Sequence, residues 1–128
     1  MKQARNPQSI HAPLANYTHQ IEVHNPQRWL TISGQVGMTP AGGVPEEAIE
    51  QLKLALVNIK ENLTAASMSI TDLTKLTFFL VDQIDAPKRV AIIKDFLGDH
   101  TPCMTLIYVA GLATPQLKVE IEAVACTV

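Results

Sequence analysis

The chain has 128 residues, 47% of them hydrophobic and 17% charged, against roughly a quarter charged in an average soluble chain. That balance excludes an intrinsically disordered polymer and fits one compact domain spanning residues 1–128. Lys and Arg number 10 against 12 Asp and Glu, a formal net charge of -2, so no basic surface announces a nucleic-acid partner.

In chain order, Met1 to Tyr17 carry Lys2 and Arg5 with no apolar run behind them, so no secretory signal is expected. Tyr17 to His24 is the first plausible strand. Asn25-Pro26-Gln27 is turn chemistry, and Arg28 to Val36 supplies a second strand through Trp29, Leu30, Ile32 and Val36. Gly34 and Gly37 mark a bulge or a place where something approaches the backbone closely. After a loop over Thr39 to Pro45, the region Glu46 to Ala66 is a helix. Its residues Ile49, Leu52, Leu56, Ile59, Leu63 and Ala66 step by three and four.

A strand over Thr74 to Val81 follows. Asp85-Ala86-Pro87 then reads as an N-cap with proline in the first turn, opening a helix that Gly98 ends. Strands near Cys103 to Val109 and Leu117 to Cys126 close the order β-β-α-β-α-β-β. The strands 74–81 and 103–109 are largely apolar on both faces, and two helices can cover only one side of such a sheet. The uncovered side predicts a homo-oligomer, and closure makes a small ring the natural form.

The four histidines show no metal-ligand spacing. Gly34-Gln35-Val36-Gly37 lacks the ending of a phosphate loop, and Ser33 lacks a nucleophile elbow. Cys103 and Cys126 lie far apart and form no Cys-x-x-Cys, so they read as small hydrophobes in a reduced, cytoplasmic protein. No apolar run is long enough to span a bilayer; Phe78-Phe79-Leu80-Val81 is typical. In the last strand Val119, Ile121 and Ala123 make the apolar face, leaving Glu120 and Glu122 on the other. A carboxylate there lies on a solvated face unless a neighbouring subunit turns it into a cleft.

Ile32-Ser33-Gly34-Gln35-Val36, the long helix, Lys75 to Asp82 and Val119 to Ala125 together resemble the Rid (YjgF-type) reactive-intermediate deaminase family. The resemblance runs from about Pro13 to Ala125. It implies an α+β, chorismate-mutase-like domain with a mixed sheet and two helices on one face. It also implies a homotrimer with three inter-subunit clefts. Archetypal members hydrolyse enamines and imines such as 2-aminoacrylate without a cofactor, pairing a carboxylate-clamping arginine with a water-orienting glutamate.

Carried onto this chain, the resemblance keeps Tyr17, Gly34 and Glu120. It departs where the family's Pro-Ala-Arg-Ser segment is Pro102-Cys103-Met104-Thr105, so the clamp arginine is Met104. The family's helix asparagine is Val90, and the cysteine two places after the arginine is Leu106. Methionine has neither the charge nor the paired donors of a guanidinium.

The first reading is therefore an atypical member that binds a small, neutral or weakly polar metabolite in clefts lined by Gly34, Val90, Met104 and Leu106, without archetypal deamination. The alternative is a cofactor-free enamine or imine hydrolase in which Glu120 activates water and Tyr17 helps hold the substrate. A minor alternative is the ribonuclease or translation-inhibitor activity attached to the family. Neither a cofactor nor a metal is expected. Whether Arg28 or Lys118 replaces the missing cation is decided by the fold.

Overall fold

The computed structural model describes residues 1–128. Two short strands, β1 (Lys2–Arg5) and β2 (Gln20–Val23), form an antiparallel ribbon of their own. The main sheet contains β3 (Arg28–Val36), β4 (Leu73–Leu80), β5 (Cys103–Tyr108) and β6 (Val119–Thr127) in the order β3-β6-β4-β5. It is mixed: β6 runs antiparallel to β3 and β4, while β4 and β5 are parallel. Helix α1 (Ala48–Ala65) and helix α2 (Ala86–Leu97) cover one face. The α+β class and the mixed sheet with both helices on one side match the expectation.

Lys2–Arg5 adds a strand to the expected order. The strand expected from Tyr17 starts only at Gln20, so Tyr17 and His19 sit in the preceding loop. In the ribbon, Arg5 donates to Glu22 at 2.6 Å and His24 lies 3.2 Å from the same carboxylate. The hydrogen bond from Arg5, then that from His24, holds the Glu22 carboxyl below the usual carboxylate range.

The core follows from periodicity. On α1, Leu52, Leu56, Ile59 and Leu63 are buried. Beneath them lie Leu76, Phe78 and Leu80 of β4 and Val119, Ile121, Ala123 and Ala125 of β6, all from one face of the sheet. Helix α1 ends without glycine: Ser67 takes φ 56, its N–H reaches Thr64 O at 2.9 Å, and the Met68 N–H reaches Leu63 O at 2.8 Å. Arg28 closes the same helix end by donating to Ala66 O at 2.7 Å. At α2, Asp85 accepts from the Lys88 N–H at 3.0 Å, and Gly98 ends the helix at φ 61, a backbone angle that suits glycine.

Gln51 interrupts the apolar stripe of α1 yet is fully buried. Its amide donates to Pro45 O and Gln116 O at 2.8 and 2.9 Å, and its carbonyl accepts from the Lys118 N–H at 2.8 Å. It thus ties α1 to the segment that leads into β6.

The other face of the sheet carries no helix. Its residues include Trp29 of β3, Lys75, Thr77 and Phe79 of β4, Thr105 and Ile107 of β5, and Glu120, Glu122 and Val124 of β6. This face is less apolar than the strand sequences suggest. The register sets Thr77 beside both Glu122 and Thr105, and Lys75 Nζ donates to Thr105 Oγ1 at 2.6 Å. Trp29 and Ile107 remain 59% and 43% exposed, so apolar area still awaits cover. No helix is long and apolar enough to cross a membrane.

Candidate functional site

A cavity of about 360 Å³ lies between α2, β5 and the loop 14–17. It exists because α1 rests directly on β3 and β6, whereas α2 stands off the β4–β5 side of the sheet. Its floor is Phe78, Met104 and Leu106, and its helical wall is Val90, Ile93 and Leu97. The loop wall is placed by the segment that leads into β5: the Thr18 N–H donates to Pro102 O at 3.3 Å, and the Thr18 and Thr101 hydroxyls lie 3.0 Å apart. This docking brings Tyr17 over the cavity, where its hydroxyl accepts from the Leu14 N–H at 3.1 Å. The Tyr17 ring meets His19 edge-on at 5.6 Å.

Four of the six residues singled out in the sequence, Tyr17, Val90, Met104 and Leu106, therefore line one cavity. The other two form a second group. Glu120 pairs in register with Phe79, so it points away from the side of the sheet that carries Phe78, Met104 and Leu106. Gly34 lies beside it at the irregularity between Ile32 and Gln35. A Cβ on Gly34 would sit 2.7 Å from the Glu120 carboxyl carbon, so only glycine leaves the glutamate its place. Within one chain the glutamate and the tyrosine–methionine group are separated by the thickness of the sheet.

Neither cation named in the sequence reaches the cavity. Arg28 is engaged at the end of α1, and Lys118 pairs with Asp82 at 3.2 Å. Two others do. Arg89 and Lys94, both on α2, line the cavity together with His100, whose Nε2 meets Leu73 O at 2.8 Å. Sequence reasoning passed over Arg89 because a charged residue beside Val90 on a helix reads as solvated surface. The available signal was its single-turn spacing from Ile93 on the inner stripe.

Cys103 lies on the helix-free face, and burial pushes its thiol up, which keeps it protonated and a poor nucleophile at neutral pH. No three His, Cys, Asp or Glu side chains come together as a metal-binding group.

Comparison with known proteins gives a consistent result. The family model described as Endoribonuclease L-PSP matches residues 8–127. The chain is 39% identical over 100 residues to the 2-iminobutanoate/2-iminopropanoate deaminase of Capra hircus, covering 77% of this chain and 72% of that protein. It is 31% identical over 127 residues to a RutC family protein of Pyrococcus horikoshii, covering 98% of each. Among solved structures, a Rid family protein of unknown function from Yersinia pestis superposes with a TM-score of 0.85 at 27% identity, over 98% of both chains. TdcF of Escherichia coli, solved with bound serine, does so with a TM-score of 0.72 at 27% identity, over 98% of this chain and 99% of that one. With the fold, the strand motifs and these likenesses in agreement, the chain belongs to the Rid/YjgF family, whose relatives include imine deaminases.

Proposed function

We propose that this protein is a cofactor-free homotrimer of the Rid family that takes a small, apolar-bodied metabolite in clefts between its subunits and lacks archetypal 2-aminoacrylate deamination. The observation that carries this reading is the division of the site: Tyr17, Val90, Met104 and Leu106 share a cavity on one side of the sheet, and Gly34 and Glu120 share a corner on the other. In a cyclic assembly the Gly34–Glu120 corner of one protomer completes the cavity of the next. The serine held by TdcF supports a ligand of metabolite size.

Met104 is what sets this member apart. Each charge-assisted hydrogen bond to a carboxylate contributes about 1.5–3 kcal/mol, so losing a bidentate pair costs roughly 10²–10⁴ in rate. Phe78, Leu106 and Val90 around the methionine favour apolar bulk over a compact anion.

A hydrolytic reading is favoured by the relatives named 2-iminobutanoate/2-iminopropanoate deaminases. In it Glu120 acts as general base on water, while Tyr17 and backbone groups near Leu106 hold the substrate. Ribonuclease action, the activity in the matching family's description, is disfavoured by a net charge of -2, which offers little to a polyanion.

One experiment separates the readings: ammonia release from imines generated in place by an amino-acid oxidase, with wild type, Met104→Arg and Glu120→Ala. The binding reading expects wild type to match buffer and Met104→Arg to accelerate hydrolysis by about 10²-fold or more. Acceleration by wild type that Glu120→Ala abolishes would establish the hydrolase instead.

A further inference from the structure

Arg89 is the cavity's unclaimed cation. It lies in the first turn of α2, half-buried, and its Nη1 donates to the Tyr108 hydroxyl at 3.0 Å. Within one chain no carboxylate pairs with it, although Asp85 stands one turn earlier; that side chain instead accepts from the Lys88 N–H. A cation in the first turn opposes the helix dipole, and a half-buried guanidinium without a carboxylate leaves most of its five donors free. Tyr108 takes one of those donors and holds the group at the cavity wall. Lys94, the other cation there, is exposed and already engaged with Gly98 O at 2.8 Å and with Asp99 at 3.8 Å.

We infer that Arg89 is the specificity-determining anchor for the carboxylate of the ligand, gripping it from the helical wall of the cavity. The inference rests on the proposed cavity ligand and supplies its chemical class: a monocarboxylate with a branched or aromatic apolar tail. The carboxylate meets Arg89 beside Tyr108, and the tail lies over Phe78, Met104 and Leu106. A guanidinium grips a carboxylate through two parallel bonds, so the anchor is strong even at a half-exposed wall. With the anchor on the helix and methionine on the strand, the carboxylate lies away from the family's clamp position. A compact substrate held from this side leaves the apolar floor empty, and a longer tail fills it.

The test is calorimetric titration of the full-length protein with 4-methyl-2-oxopentanoate and with its neutral primary amide. The variants are Arg89→Met, Arg89→Lys and Val90→Trp, the last to block the cavity at its rim. Wild type is expected to bind the acid at least tenfold more tightly than the amide. Arg89→Met should weaken the acid about 10- to 100-fold and the amide by much less, so that the acid-to-amide ratio falls, with Arg89→Lys intermediate. An acid-to-amide ratio unchanged in Arg89→Met overturns the anchor alone. Failure of both ligands to bind wild type, or binding that persists in Val90→Trp, overturns the cavity reading and the anchor with it. Thermal unfolding of each variant accompanies the titration; Arg89 and Val90 lie outside the buried core, so wild-type midpoints are expected.

Discussion

Gly34 has no side chain where Glu120 comes nearest, so the carboxylate keeps this position only beside a glycine. In Gly34→Ala the new methyl would meet the Glu120 carboxyl carbon at 2.7 Å and its Cγ at 2.9 Å. The glutamate side chain is flexible, so it swings aside and stability changes by less than about 1 kcal/mol. The carboxylate is then misplaced, and a misplacement of this size costs on the order of 10²-fold in a positioned reaction. Gly34→Ala added to Met104→Arg should therefore lose most of the regained imine hydrolysis at an unchanged melting midpoint. Equal rates in the two proteins would remove Glu120 from the chemistry. Cys103 shows the opposite case, a reactive residue type whose thiol partial burial pushes up, away from the thiolate form.

At the scale of elements, Gln51 is the polar pin of the fold. Gln51→Leu keeps the bulk but strips partners from Pro45 O, Gln116 O and the Lys118 N–H. Buried backbone groups left without partners cost about 1–3 kcal/mol each; these three are only part-buried, so the low end applies to each and a loss of roughly 3 kcal/mol is expected in urea unfolding. A loss under about 1 kcal/mol would mean that water replaces the side chain. Helix α1 was legible in the sequence because its stripe repeats every three or four residues, and α2 because Asp85, Pro87 and Gly98 punctuate it. Strand β1 was not: Lys2-Gln3-Ala4-Arg5 has no apolar alternation, and its pairing with β2 depends on residues far along the chain. The gathering of Tyr17, Val90, Met104 and Leu106 was visible through family resemblance. That Glu120 faces the other way follows only from the registers of β4 with β5 and β6, which spacing within one strand cannot reveal. Arg89 was legible only through its one-turn spacing from Ile93, a weak signal for a charged residue on a helix that otherwise reads as solvated surface.

For the whole molecule, the decisive feature is a sheet clothed on one side, with the candidate site residues divided between its two sides. The chain exposes 7354 Å², above the ~6,700 Å² that size scaling gives for a 14.0 kDa monomer. Trp29 and Ile107 contribute to that excess. Thr77, Thr105 and Glu122 make the same surface partly polar, which suits an interface that also carries hydrogen bonds. Association would place the glutamate corner of one chain against the open cavity of another. Sedimentation equilibrium at micromolar concentration, with 4-methyl-2-oxopentanoate present, tests this directly. The expected mass is about 42 kDa, three chains of 14.0 kDa. A stable species of 14.0 kDa that carries the ligand would contradict a site built between copies.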